Sequence, residues 1–443
     1  MNIEKVRGQG TEMKLLLIFP MGKGNLMGKY SFFKLVPLTL PYLAALTPKD
    51  VEVTIVDDLV DEVDFEADVD LVGLTILTPL ALRAYEIADR FRARGVKVVL
   101  GGVHVTMCPE EAALHADALV LGEAEETWPK LIEDFKKGRL KKYYRCSELP
   151  ALKGIPIPRW DLLKMRYLPT YSVQTSRGCP FDCDFCSVTT LFGGKYRLRP
   201  VEDIVSEVRT LIESRRQKSP LGNIFFFNDD NIFANPARSK RLLKALTPLR
   251  IKWLGQAPIT MAWDEELLKI SADSGCIGVL IGFESLSQGN IDKMGKRINR
   301  VKEYEEAIKK IHSYGIKIMG SFMFGLDEDD SGDFERVVRF MEKTHIDVPG
   351  LGIATPYPGT RFYKRLEKEG RLINRNWEDY DSTRSVHRPL RMSPQEADEG
   401  VIWAWKRVTS IPSIFKRTVF PSNRSLFYFI FNFVFRRTVR RMF

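Results

Sequence analysis

Cys179, Cys183 and Cys186 are the side chains in this sequence best placed to do chemistry. They are spaced C-x3-C-x2-C within Thr175-Ser176-Arg177-Gly178-Cys179-Pro180-Phe181-Asp182-Cys183-Asp184-Phe185-Cys186. Thiolates are soft ligands that select iron–sulfur clusters and soft metals. The alternating run Tyr171 to Thr175 reads as a strand that delivers the chain into a Gly- and Pro-punctuated loop. Three ligands on a cubane leave one iron with an open position, as catalytic metal sites do. A structural zinc site would need a fourth ligand and usually a second C-x2-C pair, and Cys108, Cys146 and Cys276 are solitary.

A chain of 443 residues exceeds one ordinary core, so two or three domains are expected. Hydrophobic content of 44% and charged content of 28% describe a globular protein. Six cysteines, three of them clustered, do not form a disulfide framework, which places the chain in a reducing cytoplasm. Met1 to Glu12 is polar and mixed in charge, unlike a secretory signal. The net charge is +10, yet Ile411 to Phe443 alone holds seven Lys/Arg and no Asp/Glu. A basic tail, not a nucleic-acid-binding body, accounts for most of the excess.

Residues 13–145 alternate short apolar strands with amphipathic helices. Strands are expected at Met13–Phe19, Val51–Val56, Leu71–Leu77, Val96–Leu100 and Ala118–Leu121. Helices are expected after Pro37, over Ala81–Ala93 and through Trp128–Phe135. This pattern predicts an α/β, doubly wound, Rossmann-like parallel sheet. Ligands bind such sheets beyond the carboxyl ends of the strands. Those ends carry Thr75 and Thr78, Gly101, Gly102 and His104, and Gly122 and Glu123. Small residues there let a large flat ligand approach the backbone. No G-x-G-x-x-G follows the first strand, so dinucleotide binding lacks support.

Residues 146–164 form a Pro-rich linker of extended character. From 165 to 375 the pattern is strand then helix, repeated. Helices are expected at Val201–Arg216, Ala237–Leu249, Asp264–Asp273, Arg300–Tyr314 and Ser331–Thr344. The strands between them are Asn223–Phe227, Lys252–Gln256, Cys276–Phe283, Lys317–Met323 and Gly350–Ala354. With the strand before the cysteines these make six, a partial (β/α)6 TIM barrel with its chemistry at the C-terminal strand ends. Those ends are polar: Asp229 and Asp230, Gln256, Glu284, then the run Gly320 to Gly325.

The cysteine stretch, with an aromatic just before its last cysteine, resembles the signature of the radical S-adenosylmethionine (radical SAM) superfamily. The run GGVHVTMCPEEAALHADALVLGEAEETWPKL resembles the cobalamin-binding domain that precedes the barrel in cobalamin-dependent members. The resemblance implies a [4Fe–4S] cluster on Cys179, Cys183 and Cys186, with SAM chelating the open iron. An electron carrier such as flavodoxin or ferredoxin would feed the cluster, and SAM would split to a 5′-deoxyadenosyl radical. By the same resemblance Asp229 or Asp230 meets the SAM amino group, Glu284 the ribose, the Phe185 backbone the adenine, and the Gly320–Gly325 strand lies beneath it. Gln256 joins this SAM set. Thr75, Thr78, Gly101, Gly102, His104, Gly122 and Glu123 would line the cobalamin site. The D-x-H-x-x-G signature is absent, so cobalamin would bind with no histidine on cobalt.

Residues 376–443 read as a small, mostly helical C-terminal region. Its Phe-rich run Leu426–Phe435, flanked by arginines, is too short to span a bilayer, which takes ~20 residues. It is either a last helix docked on the barrel or a segment lying in a membrane interface. The tail resembles that of radical SAM enzymes that modify membrane lipids such as hopanoids. The expected function is therefore methylation of an unactivated carbon on a hydrophobic, lipid-like substrate, at the inner face of the membrane. Other readings are a radical rearrangement, ring formation or C–C coupling without methyl transfer, and a cobalamin- or metal-binding regulator. Methylthiolation of tRNA lacks the further N-terminal cysteines it would need.

Overall fold

A computed structural model describes residues 12–21, 37–163, 170–214, 224–418 and 426–443. The described chain forms two compact units, the first running to residue 150 and including 155–163, the second holding 151–154 and everything from 170 onward. The expected boundary at 165, Arg216 and Asn223 lie outside the described residues.

The first unit is a six-stranded parallel sheet. Its strands are β1 (Met13–Phe19), β2 (Val51–Asp57), β3 (Leu71–Thr75), β4 (Lys97–Gly101), β5 (Ala118–Leu121) and β6 (Tyr143–Arg145), in the order β2-β1-β3-β4-β5-β6. The order reverses between β1 and β3, which is the switch point where doubly wound sheets open a crevice. Leu15, Leu17, Leu71, Val99 and Val120 pack with Trp128, Leu131 and Ile132 of the helix Thr127–Lys136. Continuous apolar runs suit strands covered on both faces. The three-residue β6 carries no such run and was invisible in the sequence.

In the second unit six parallel strands stand in the order β14-β13-β12-β11-β10-β7, the partial barrel expected. They are β7 (Thr170–Val173), β10 (Ile224–Phe227), β11 (Lys252–Gln256), β12 (Cys276–Glu284), β13 (Lys317–Phe324) and β14 (Val348–Ile353). A two-stranded antiparallel ribbon, β8 (Ser176–Arg177) with β9 (Arg197–Leu198), brackets the cysteine loop. Alternation along β12 and β13 sorts side chains between two layers. Val279, Ile281 and Phe283 with Ile318, Phe322 and Phe324 are buried on the helix side. There the Phe283 ring stacks on Phe322, both edge-on to Phe340 of the helix Asp333–Thr344. Leu280, Gly282, Met319 and Ser321 face the interior and are only partly covered.

The C-terminal region packs on this barrel. The helix Pro394–Val408, started by a Ser393/Glu396 capping box, lies against β14 and the helix Asp333–Thr344. The helix Leu426–Met442 also docks: Tyr428 donates to the Ile277 carbonyl at 3.0 Å, and Asn432 to the Asp347 carbonyl at 2.9 Å. Fully buried Arg417 donates to Ile346, Asp347 and Val408 carbonyls and to Asn432 Oδ1, each at 3.0 Å. Ile277 and Asp347 sit at the starts of β12 and β14, so this helix closes the end of the barrel opposite the cysteine loop. No helix among the described residues is long and apolar enough to cross a membrane.

Candidate active site

The cysteine loop hangs from two aspartates at the end of β10. Asp229 is buried, and its carboxylate accepts from the amides of Thr175 at 2.7 Å and Ser176 at 2.6 Å and from the Thr175 hydroxyl at 2.7 Å. Burial pushes its pKa up to about 6, against the pull of these donors and the Arg238 guanidinium. Asp230 accepts from the Gly178 amide at 2.8 Å. Gly178 has φ +88°, and a Cβ there would overlap the Lys195 carbonyl, so only glycine fits. Arg238 ties the same turn together through the Thr175 and Arg199 carbonyls at 2.9 and 3.0 Å.

All three thiols of the loop are free and partly buried. Burial raises each pKa, that of Cys183 to about 12, against the opposing pull of the Lys296 charge. Asn231 Nδ2 approaches Cys179 Sγ at 4.0 Å. Cys276 is buried at the start of β12, the opposite end from the loop. Among the described residues no group of His, Cys, Asp and Glu is arranged to hold a single metal ion. Three soft sulfurs on one loop fit an iron–sulfur cluster, which deprotonates thiols that burial would otherwise keep protonated.

Contacts from two later elements hold the outer side of the loop. Asp184 N donates to the Met294 carbonyl at 2.9 Å, and Phe362 N to the Asp184 carbonyl at 3.0 Å. Phe185 packs on an apolar cluster of Ile291, Met294, Leu326 and Phe362. Glu284, the last residue of β12, is buried at φ +65° and paired with Lys296. Its side chain lies over Gly282, where a Cβ would overlap it. Asn299 Nδ2 and the Tyr304 hydroxyl hold the Phe283 carbonyl beside it at 3.2 and 2.9 Å.

Most of the expected strand-end residues gather here. Asp229 is fully engaged in anchoring the loop, which makes Asp230 the better placed of the two for a ligand ammonium. Gln256 ends β11, paired in register with interior-facing Leu280. Gly320 departs from expectation: a Cβ there would meet Ile346 and Phe283, so it faces the helical layer and is small for packing. The glycines on the interior side are Gly282, Gly350 and Gly352, which pair with Ser321 and Met323 of β13. Gly325 adopts φ +81°, and its carbonyl accepts from the buried His387 Nε2 at 3.0 Å. Lys296, Asn299 and His387 were not singled out from the sequence.

In the first unit the edge at the ends of β3, β4 and β5 holds the residues expected to meet cobalamin. The Ile76 amide donates to the Gly101 carbonyl at 2.9 Å, and the His104 amide to the Ile76 carbonyl at 3.1 Å. Gly102, at φ +100°, passes so close to Ile76 that a Cβ would lie 2.7 Å from its nitrogen. Thr78 is buried at the start of a 3-10 turn, and Thr75 ends β3 half-buried. The Gly122 amide donates to Thr106 Oγ1 at 3.0 Å, and its α-carbon faces open space. Leu77 is exposed on the same edge. Glu123 is buried, its carbonyl accepting from Thr127 Oγ1 at 3.0 Å. His104 corrects the expectation. It is fully buried, with Nε2 3.1 Å from the Tyr85 hydroxyl and 3.5 Å from Glu111, so it packs under the loop rather than lining the edge.

Comparison with known proteins agrees with both halves. Residues 173–341 match the radical SAM superfamily and residues 27–132 the B12 binding domain. The bacteriochlorophyllide d C-12(1)-methyltransferase of Chlorobaculum tepidum is 30% identical over 94% of this chain and 92% of its own length. The C-8(2)-methyltransferase of the same organism is 32% identical over 86% and 87%. In fold, the chain resembles the cobalamin-dependent S-adenosylmethionine radical enzyme OxsB (TM-score 0.71, 16% identical, 90% of this chain and 67% of that one). It also resembles the radical SAM methyltransferase TsrM of Kitasatospora setae (TM-score 0.64, 17% identical, 81% and 75%). With its thiol loop at the barrel mouth and its B12-binding sheet, this chain belongs to the cobalamin-dependent radical SAM methyltransferases, whose cofactors are a [4Fe–4S] cluster, SAM and cobalamin.

Proposed function

We propose that the protein methylates an unactivated carbon of a hydrophobic polycyclic substrate. The observation that carries this reading is the placement of the thiol loop. Asp229 and Asp230 fix it at the C-terminal ends of six parallel strands, above a glycine-lined interior. When bound, the cluster and SAM supply a radical able to take hydrogen from carbon, and cobalamin supplies the methyl group. Cys179, Cys183 and Cys186 hold the cluster; Asp230 and Glu284 present carboxylates to the ammonium and hydroxyls of SAM. Gly282 makes room for the Glu284 carboxylate and the Lys296 ammonium, and Gly352 for Ser382. The edge at Thr75, Gly101, Gly102 and Gly122 holds cobalamin. A hydrophobic substrate is supported by the relatives named for bacteriochlorophyllides and by the hopanoid C-2 methylase of Rhodopseudomonas palustris, 25% identical over 84% of this chain.

Peripheral attachment to a membrane forms part of the proposal. Trp403, Ile411, Phe415 and Ile430 are exposed on the C-terminal helices, near Arg437, Arg440 and Arg441. Apolar side chains rimmed by arginines suit an anionic interface. This patch belongs to the barrel end away from the cysteine loop, so it holds the enzyme without pointing the mouth at the bilayer.

Anaerobic reconstitution with iron, sulfide and cobalamin, followed by incubation with methyl-labelled SAM and extracted polycyclic lipids or tetrapyrroles, tests the reading. Deoxyadenosine together with label in a hydrophobic product is expected. Deoxyadenosine without methyl transfer to any such substrate would move the protein to radical chemistry of another kind. Phe415→Ser with Ile430→Ser should lower binding to anionic liposomes with the fold intact.

A further inference from the structure

The cysteine loop has a second, outward side. Phe181 and Asp182 line a depression of about 450 Å³ whose other wall carries Lys293, Lys296, Arg297 and Arg361. None of the interior residues Gly282, Ser321, Gly350 or Gly352 lines it, so it is not the barrel cavity. The rim is basic on balance: Lys293, Lys296, Arg297 and Arg361 stand against the carboxylates Asp182 and Asp292, Lys293 also pairs with Glu328, and Arg300, farther along, pairs with Glu303. Lys293, Arg297, Arg300 and Arg361 are exposed. Asp182 is already matched by Arg361, which donates to its Oδ1 at 2.6 Å and to its carbonyl at 2.7 Å. Lys296 differs from the others. It turns inward to pair with Glu284, and its charge is felt by Cys183 and Cys179. One wall of the depression is therefore the back of the thiol site.

We propose that this basic depression docks an acidic one-electron carrier protein of the flavodoxin or ferredoxin type. The inference rests on the radical reading above, because cleaving SAM consumes one electron that the chain itself does not supply. The carrier is oxidised by one electron and the cluster on Cys179, Cys183 and Cys186 is reduced by one. Three features favour a protein carrier. The depression lies directly behind two ligand positions, which keeps the transfer path short. Its exposed cations offer steering to a negatively charged partner. Electron-transfer encounters are small and polar and need no large apolar patch.

The test titrates oxidised flavodoxin into the reconstituted protein by calorimetry at about 0.01 M and about 0.15 M ionic strength, where charges act over ~30 Å and ~8 Å. The charge reversal Lys293→Glu with Arg297→Glu is compared with Arg440→Glu plus Arg441→Glu on the tail. Expected are about tenfold or greater weakening in the first variant at low salt, a smaller difference at high salt, and little change in the second. Deoxyadenosine formation should fall with flavodoxin as reductant and hold with dithionite. Unchanged flavodoxin affinity in the first variant, or equal weakening in the tail variant, overturns the docking surface. A raised substrate KM with unchanged flavodoxin affinity also overturns it and makes the depression a site for an anionic substrate group. Failure of the unaltered enzyme to form deoxyadenosine with dithionite would sink the radical reading itself, a result distinguishable from any change in carrier binding.

Discussion

The ammonium of Lys296 sits on the carboxylate of Glu284, and Glu284 is itself held in a left-handed backbone conformation at φ +65°. A non-glycine residue in that region costs on the order of 1–3 kcal/mol and persists only where its surroundings fix it. Asn299 and Tyr304 do so by gripping the Phe283 carbonyl. The strained residue carries the carboxylate assigned to the SAM ribose. Glu284→Gln is therefore expected to keep iron and lose SAM affinity. A charge-assisted hydrogen bond lost there costs ~1.5–3 kcal/mol, roughly ten- to hundredfold in Kd. Equilibrium binding of SAM to the reconstituted variant measures it, and an unchanged Kd would remove Glu284 from the site.

Replacing Cys179, Cys183 or Cys186 by Ala should abolish both the brown absorption and deoxyadenosine formation. Cys276→Ala should leave both in place, since that thiol is buried at the start of β12. Iron analysis after reconstitution decides; a cluster that survives the loss of Cys183 would show the ligand set to be wrong.

The His104 side chain is buried against Tyr85 within the first unit, beneath the edge assigned to cobalamin. His104→Gln is expected to retain cobalamin with an unaltered base-off spectrum. The lost contact should cost about 1 kcal/mol of stability, read by chemical denaturation. A base-on spectrum that vanishes in the variant would place this histidine on cobalt.

Buried His387 gives the second unit a pH dependence. Burial lowers its pKa to about 4, although the bond to the Gly325 carbonyl favours its charged form. The unfolded chain takes up a proton near pH 6.5, which the folded chain refuses until about pH 4. Stability contributed by neutral His387 is thus complete above pH 6.5 and falls as pH drops toward 4, by roughly 3 kcal/mol in all. Denaturation curves across that window should flatten by about one proton in His387→Gln. An unaltered slope would show that the imidazole titrates normally.

The parallel strands were legible because each is an apolar run covered on both faces, as in Leu71–Thr75 and Ala118–Leu121. The cysteine loop announced itself by ligand spacing. What escaped was set by distant partners. The two-residue strands Ser176–Arg177 and Arg197–Leu198 have no pattern of their own and exist because the loop between them returns. Eleven residues, a short helix among them, separate Glu284 from Lys296, a spacing that signals nothing locally. Whether Gly320 faced the ligand or the helices depended on strand register, which a glycine-rich run does not reveal. His104 follows the strand-end glycines Gly101 and Gly102, and its turn inward rests on its contact with Tyr85, a partner nineteen positions back.

The hydroxyl of Tyr428 rests against Gly278 and the Ile277 carbonyl, sealing the far end of the barrel with the helix Leu426–Met442. During synthesis all six strands leave the ribosome before this stopper does. Until the helix Leu426–Met442 emerges, the barrel floor is open and Arg417 lacks Asn432. Assembly of the metallocentre at the mouth can thus precede closure at the base.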